Sequence, residues 1–414
     1  MDEHPVRLVV DDDLERTRLT VFFRLILAVP HLIWVTLWTI TVVVVAICNW
    51  VATLVAGRPP RPLHRFLCAY TRYTVQLSAY LHLVVNPYPP FLGETGEYEV
   101  DLRLPAPAAQ PRWKTLIRIV LALPALLLSS VLGGSGGPVL NARGNAALRS
   151  YSSGGGALSG FCAFLGWFAT VVTGRMPRGL RDAAAYGVGY GGQSLAYLLL
   201  ITDRYPSSDP TAMLRDFEPP PPHEVHLVGD AHDLRRSRLT VFFRLPLAIP
   251  HLVWLALWTI AAILVGIVNW FATLFAGTPP LVFHRFLSAY VRYSLHVNAF
   301  LYLAANPFPG FVGERYPLDL VLPAQPQRQN RWKTGFRIVL AVPAGIVDTA
   351  LGWALFVAAV WTWFVALLTG SAPWGLRNLS AYALRYGAQL NAYVFLVTER
   401  YPHASPLEGY EPEP

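Results

Sequence analysis

Residues 31–57 read HLIWVTLWTITVVVVAICNWVATLVAG and residues 251–277 read HLVWLALWTIAAILVGIVNWFATLFAG; neither stretch holds an Asp, Glu, Lys or Arg. Each is longer than the about 20 apolar residues that span hydrocarbon, where a central charge costs about 3 kcal/mol. A buried helix of a soluble protein seldom runs so far without a charge. The rest of the chain has the same character: of 414 residues, 54% are hydrophobic and 14% charged, against about 25% charged in soluble domains. That is too little polar surface to coat a water-soluble body of this size. The expected class is an all-α polytopic membrane protein.

The flanks of the two stretches show how it is built. Arg18-Leu-Thr-Val-Phe-Phe-Arg24 returns as Arg238-Leu-Thr-Val-Phe-Phe-Arg244, and Arg112-Trp-Lys-Thr returns as Arg331-Trp-Lys-Thr, so the chain is two similar halves. Each half also repeats within itself. Leu27-Ala-Val-Pro30, Trp50-Val-Ala-Thr53, Gly57 and Tyr88-Pro89 are matched in order by Leu121-Ala-Leu-Pro124, Trp167-Phe-Ala-Thr170, Gly174 and Tyr205-Pro206. Four membrane repeats follow: residues 1–110, 111–206 with a Gly/Ser-rich insert at 131–158, 223–327 and 328–402. A Pro-rich linker, 207–222, separates the halves, and a polar tail, 403–414, closes the chain.

Short stretches with alternating Val and Leu precede the repeats, at 6–10, 98–104, 224–228 and 316–322. Period-2 patterning reads as β-strand, and four such strands predict a small sheet outside the membrane. All four then lie on one side, and each repeat crosses an even number of times, eight in all. The 40 or so apolar residues from 19 to 57 are about twice the hydrocarbon thickness as one helix, so something must bend. One reading puts a short interfacial helix before Pro30 and a single spanning helix after it, proline being a helix breaker. The preferred reading is a tight helical hairpin, because the Gly/Ser-rich insert of the second repeat, with Arg143 and Arg149, is tolerated at an exposed tip and not inside a spanning helix. The hairpin also gathers Arg16, Arg18, Arg58, Arg61 and Arg65 on one face, as the positive-inside rule expects. Residues 63–85 then lie on that face as an amphipathic helix, with Tyr73, Gln76 and Tyr80 at the headgroup level.

The ordered motifs Arg18–Arg24, Leu27 to His31, Trp50 to Gly57 and Tyr88 to Phe91 resemble the bacterial membrane family catalogued as domain-of-unknown-function family 4389, in four tandem copies. The odd repeats match best; Ala125 and Ala344 stand where the odd repeats have His31 and His251. The resemblance implies a bacterial membrane protein and brings no activity, cofactor or catalytic residue.

Four arginines recur six residues before each proline: Arg24, Arg118, Arg244 and Arg337. In apolar surroundings such a residue binds a lipid phosphate or another anion, unless it snorkels to the interface. His31 and His251, with Asn49 and Asn269, are candidates for a pathway or for helix packing; Asn commonly bonds between membrane helices. No further His, Asp or Glu stands near the histidines at helical spacing, so no metal site is expected. Three cysteines (Cys48, Cys68, Cys162) form no CxxC pair and indicate neither zinc nor a disulfide framework. The acidic N-terminus, MDEHPVRLVVDDD, is not a secretory signal. Net charge is +8; in so apolar a chain this fits cytoplasmic loops and anionic lipid rather than nucleic acid. No catalytic residue and no cofactor is indicated. The expected function is a non-catalytic scaffold or assembly factor in the cytoplasmic membrane, both termini cytoplasmic, binding anionic lipids or a membrane protein partner. A transporter or channel is the alternative, since internal repeats are common there, and a lipid-modifying enzyme is the third.

Overall fold

The computed structural model describes residues 4–133, 157–229 and 234–407, and the chain divides into two compact units, residues 1–218 and 219–414. Among the described residues, three helices, Arg24–Ala56, Arg244–Ala276 and Arg337–Thr369, are long and apolar enough to cross a membrane. The first unit runs β1 (Arg7–Val10), α1 (Arg18–Phe22), α2 (Arg24–Leu27), α3 (Val29–Ala56), α4 (Arg61–Leu81), β2 (Val100–Arg103), α5 (Arg112–Leu116), α6 (Arg118–Leu132), α7 (Leu158–Thr173), α8 (Arg178–Leu198) and α9 (Pro210–Met213). The second runs β3 (His226–Gly229), α10 (Arg238–Phe242), α11 (Arg244–Ala276), α12 (Leu281–Leu301), β4 (Leu318–Val321), α13 (Arg331–Gly335), α14 (Arg337–Thr369) and α15 (Trp374–Val394). Each repeat is thus a strand, a broken helical turn, a long apolar helix and a 21-residue second helix.

The tight hairpin is not formed. Residues 29–56, 244–276 and 337–369 are continuous helices. In three repeats the proline does not mark a break, since Pro124, Pro250 and Pro343 lie inside their helices; only in the first does a turn, at Ala28, stand just before the proline, Pro30. The chain leaves helical geometry earlier, at Phe23, Ile117, Phe243 and Phe336. The break falls there because another donor satisfies the carbonyls it frees. Trp50 Nε1 donates to Thr115 O at 2.7 Å and Trp167 Nε1 to Val21 O at 3.1 Å; Trp270 and Trp363 do the same to Thr334 O and Val241 O. The recurring tryptophan of one repeat therefore holds the break of its neighbour.

Each long helix stops at a glycine in left-handed geometry, Gly57 at φ +71° and Gly277 at +79° among them, with a proline soon after that cannot continue it. The second helices end differently. Leu83, Leu200, Leu303 and Leu396 take φ of 60–64°, a conformation that costs an L-residue about 1–2 kcal/mol. Glycine would avoid that strain, but these leucines are buried, Leu83 against Val21 and Met176 and Leu303 against Val241 and Ala366. Burying a leucine is worth about 1.5–3 kcal/mol, enough to offset the backbone term.

The two repeats of a unit contact each other reciprocally. Gln110 N donates to Gly57 O and Arg16 N to Gly174 O, both at 2.9 Å. The strands pair antiparallel in two separate two-stranded sheets rather than one of four, with Leu8 opposite Leu102 and Leu227 opposite Leu320. Exchange of like contacts in both directions is the mark of a pseudo-two-fold. It places the C-terminal turn of one long helix beside the N-terminal break of the other, so the two run in opposite directions. Between them α4 packs on α8, with Val75 against Gly192. α4 presents Phe66, Tyr70 and Tyr73 to α3 and Arg72 and Gln76 to β2. Tyr73, Gln76 and Tyr80 are all buried, so they do not face headgroups as the sequence reading had it.

Only a narrow stripe of α3 is fully buried: His31, Val35, Val42, Asn49 and Thr53. The opposite side is apolar and open, Ile40 and Val55 being 64% and 71% exposed. The Gly/Ser-rich insert lies outside the described residues from 134 to 156. Its two ends meet, because Ser159 Oγ lies 3.0 Å from both Leu132 O and Ala184 O. α6 and α7, 15 and 16 residues long, together stand for the single 33-residue α14 of the fourth repeat.

Candidate functional site

A helix leaves its last carbonyls without donors, and its C-terminus carries a partial negative charge. Where that end is buried, water cannot supply the donors. All four second helices end inside the fold, and the recurring arginines are found there. In the odd repeats Arg24 donates to Tyr80 O at 2.9 Å and to Val85 O at 3.0 Å, with its guanidinium 4.3 Å above the Tyr80 ring. Arg244 donates to Ala305 O at 2.7 Å and stacks on Phe300. A second arginine closes the same turn: Arg16 reaches Val84 O at 2.9 Å, and Arg236 reaches Leu303 O and Ala304 O.

In the even repeats glutamine replaces the second arginine. Arg118 bonds Gln110 Oε1 and lies over Tyr197, while Gln110 Nε2 donates to Leu200 O at 2.7 Å. Arg337 bonds Gln329 Oε1 and Thr398 O, each at 2.7 Å, over Tyr393 at 3.9 Å; Gln329 Nε2 donates to Leu396 O. The asparagines complete these ends from the neighbouring repeat. Asn49 Nδ2 donates to Leu199 O at 3.2 Å and Asn269 Nδ2 to Phe395 O at 3.3 Å. The fold thus brings Asn49 to Arg118 and Asn269 to Arg337, and keeps Arg24 and Arg244 at separate helix ends with Arg16 and Arg236.

Arg24, Arg118, Arg244 and Arg337 are each at most 3% exposed. Taking a guanidinium out of water costs several kcal/mol; hydrogen bonds from a charged group return about 1.5–3 kcal/mol each and the aromatic ring about 2. The terms offset one another in large part, and what the arginine adds to stability is chiefly the pairing of carbonyls that water cannot reach. Not every donor is used: Nε and Nη1 of Arg118, Arg244 and Arg337 have no partner.

His31 and His251 belong to a different constellation. Nδ1 of each lies 2.8 and 2.7 Å from the hydroxyls of Tyr73 and Tyr293, and their rings stack on Phe91 and Phe311 at 4.2 and 4.3 Å. Among the described residues no group of three His, Cys, Asp or Glu could hold a metal ion, and Cys48, Cys68 and Cys162 are free thiols.

Over the Arg118 end of the first unit lies a cavity of about 720 Å³, lined by Trp113, Lys114, Tyr197, Asp203, Arg204 and Tyr205 among others. Lys114 Nζ is 3.1 Å from Asp203 Oδ2, and Arg118 Nη2 is 3.6 Å from Asp203 Oδ1. Burial of Tyr205 pushes its hydroxyl up to about 12, so it stays a neutral donor. Sequence reasoning missed Gln110, Gln329 and Arg236, and put Arg16, which is buried, on the exposed charged face. The signal was present: each stands two residues before the start of its repeat's Arg-Leu-Thr or Arg-Trp-Lys motif. It missed the leucines of positive φ because nothing in a leucine announces that conformation.

The arginines that open those motifs cap a third set of ends. Arg112, Arg238 and Arg331 donate to Val55 O, Leu368 O and Phe275 O, the last carbonyls of the neighbouring long helices.

The motifs and their spacing are those of the family described as Domain of unknown function (DUF4389), whose profile matches residues 18–93, 155–208, 238–312 and 331–405. The chain belongs to that family, in four tandem copies. No curated protein and no solved structure matches it.

Proposed function

We propose that this protein is a non-catalytic scaffold or assembly factor of the bacterial cytoplasmic membrane, which binds anionic lipids or a membrane protein partner through a charged cytoplasmic face. The observation that carries this reading is where the recurring polar residues point. Arg24, Arg118, Arg244, Arg337, Asn49 and Asn269, the groups a transport path or a catalytic centre would draw on, face inward onto helix ends. What each unit offers outward is an apolar surface along its long helices, with exposed cations such as Arg58, Arg61, Arg65 and Arg112 beside them. An exposed apolar surface of this extent marks contact with lipid or protein, and flanking cations favour anionic headgroups. Lys114 and Arg204 line the cavity of the first unit, Lys114 being paired with Asp203.

The test is to isolate the protein in native lipid discs and to identify stoichiometric protein partners and enriched lipids by mass spectrometry. The same preparation is then reconstituted to measure substrate-dependent flux. A defined flux abolished by Arg24→Ala with Arg244→Ala would overturn the scaffold reading in favour of transport.

A further inference from the structure

We infer that each unit lies in one leaflet, its two long helices parallel to the bilayer surface, and does not cross the membrane. This rests on the membrane reading above and replaces the eight crossings expected from the sequence.

The first reason is the path of the chain between the repeats. Trp34 Nε1 donates to Phe91 O, near the N-terminal end of α3, whereas Gln110 N donates to Gly57 O at its C-terminal end. Residues 91–110 therefore travel the length of α3 without helix, the only regular element on the way being β2. They carry Glu94, Glu97, Glu99, Asp101 and Arg103, and of these only Asp101 is not exposed. If α3 crossed the hydrocarbon, this segment would cross it too. Irregular backbone and unpaired charges are excluded from lipid.

The second reason is the level of the charges. The pseudo-two-fold passes through the Leu8–Leu102 pair, so the sheet sits midway along the antiparallel long helices. At that level are the ion pairs Arg72–Asp101 at 2.8 Å and Arg7–Asp216 at 2.9 Å. A crossing would set them at the bilayer centre. The third reason is that the second repeat's long helix is interrupted between Leu132 and Leu158, at its midpoint, where the sequence inserts a Gly/Ser-rich stretch carrying Arg143 and Arg149. The fourth is the cations: Arg18 and Arg175 are exposed at one end of α3, and Arg58, Arg61 and Arg112 at the other. One-sided positive charge, which orients spanning helices, is absent from this arrangement among the described residues.

Laid flat, all four observations agree. A 33-residue helix is roughly 50 Å long, well beyond the about 30 Å of hydrocarbon, but its length is unconstrained along the surface. The apolar side of the long helices enters the acyl chains, α4 and α8 lie above them, and the charged sheet faces water. The arginines at both ends then meet phosphates of a single leaflet, and Trp113, 61% exposed, takes the headgroup level that tryptophan favours. The second unit repeats the pattern, with Trp332 79% exposed.

Single cysteines placed in a chain lacking Cys48, Cys68 and Cys162 test this in sealed vesicles of right-side-out and inside-out orientation, using a membrane-impermeant maleimide. Arg61→Cys reports one end of α3, Glu97→Cys the other and Arg103→Cys the middle; Leu281→Cys and Glu314→Cys report the same ends in the second unit. The expected result is that all positions of a unit label from one and the same side. Labelling of positions 61 and 97 from opposite sides, or shielding of position 103 from both, overturns the inference while leaving the membrane reading intact. Release of the unmutated protein into the soluble fraction without detergent would overturn the membrane reading itself, and this inference with it.

Discussion

Arg337→Met removes a guanidinium and keeps most of the volume. The change deletes the 2.7 Å bonds to Gln329 Oε1 and Thr398 O and the stacking on Tyr393. Two buried acceptors are left without donors at about 1–3 kcal/mol each, and the ring interaction worth up to about 2 kcal/mol goes as well. Against this, a buried charge is no longer desolvated, a relief of several kcal/mol. The side-chain oxygen of Gln329 can turn in part toward other donors; the backbone carbonyl of Thr398 cannot. A net loss of about 1–3 kcal/mol follows, which for a unit of this size lowers the melting temperature by roughly 2–12 °C. Tryptophan fluorescence during thermal unfolding in lipid discs reads it. Gln329→Leu and the double variant complete a cycle, and because the two side chains share a bond their costs fall short of adding by at least about 0.5 kcal/mol. A melting temperature for Arg337→Met within 1–2 °C of the parent (under about 0.5 kcal/mol), or strict additivity, refutes the capping role. Loss of lipid or anion binding without loss of stability would return Arg337 to the binding role that its sequence position first proposed.

Other variants probe the rest of the framework. Trp270→Phe keeps the ring but leaves Thr334 O, bonded at 2.7 Å, without its indole donor; about 1–3 kcal/mol of stability goes, read as a lower melting temperature of the second unit. Gly187→Ala puts a methyl 2.4 Å from Leu132 O and 2.3 Å from Ser159 Oγ, where helix backbone cannot yield. Overpacking of about 1–3 kcal/mol or more follows, with poor recovery of folded protein on gel filtration. Asp319 is partly buried, which raises its pKa, but the bond from His296 at 2.8 Å, the Leu320 N–H and Arg292 outweigh burial and hold it below the usual carboxylate range. With the folded pKa below the unfolded one, this contribution is complete above about pH 4 and is lost as pH falls through the folded value. Melting curves between pH 2.5 and 6 (a span set by the about 3.9 of a free Asp) check it, and Asp319→Asn is expected to flatten them.

The sequence by itself determined the elements. Uncharged runs ending in glycine and then proline set the apolar segments and their ends, though the preferred reading folded each into a hairpin, and four ordered copies of the same landmarks set the repeats. These are local signals: propensity, periodicity and charge within one turn or one strand. The arginine at each break was visible as a recurring residue, and so was the asparagine before each odd tryptophan. Their partners were not. Asn49 meets Leu199 across 150 residues and Trp167 meets Val21 across 146, and no pattern in either segment names the other. Tertiary structure alone decided that the long helices of a unit run in opposite directions, because that follows from the reciprocal pairing of whole repeats. The preferred hairpin did not form, and the bend that the other reading put at the proline came mainly elsewhere, for the same reason. A missing N–H weakens a helix, but a helix parts where an outside donor satisfies the carbonyls it frees, and in this fold that donor is a tryptophan of the neighbouring repeat.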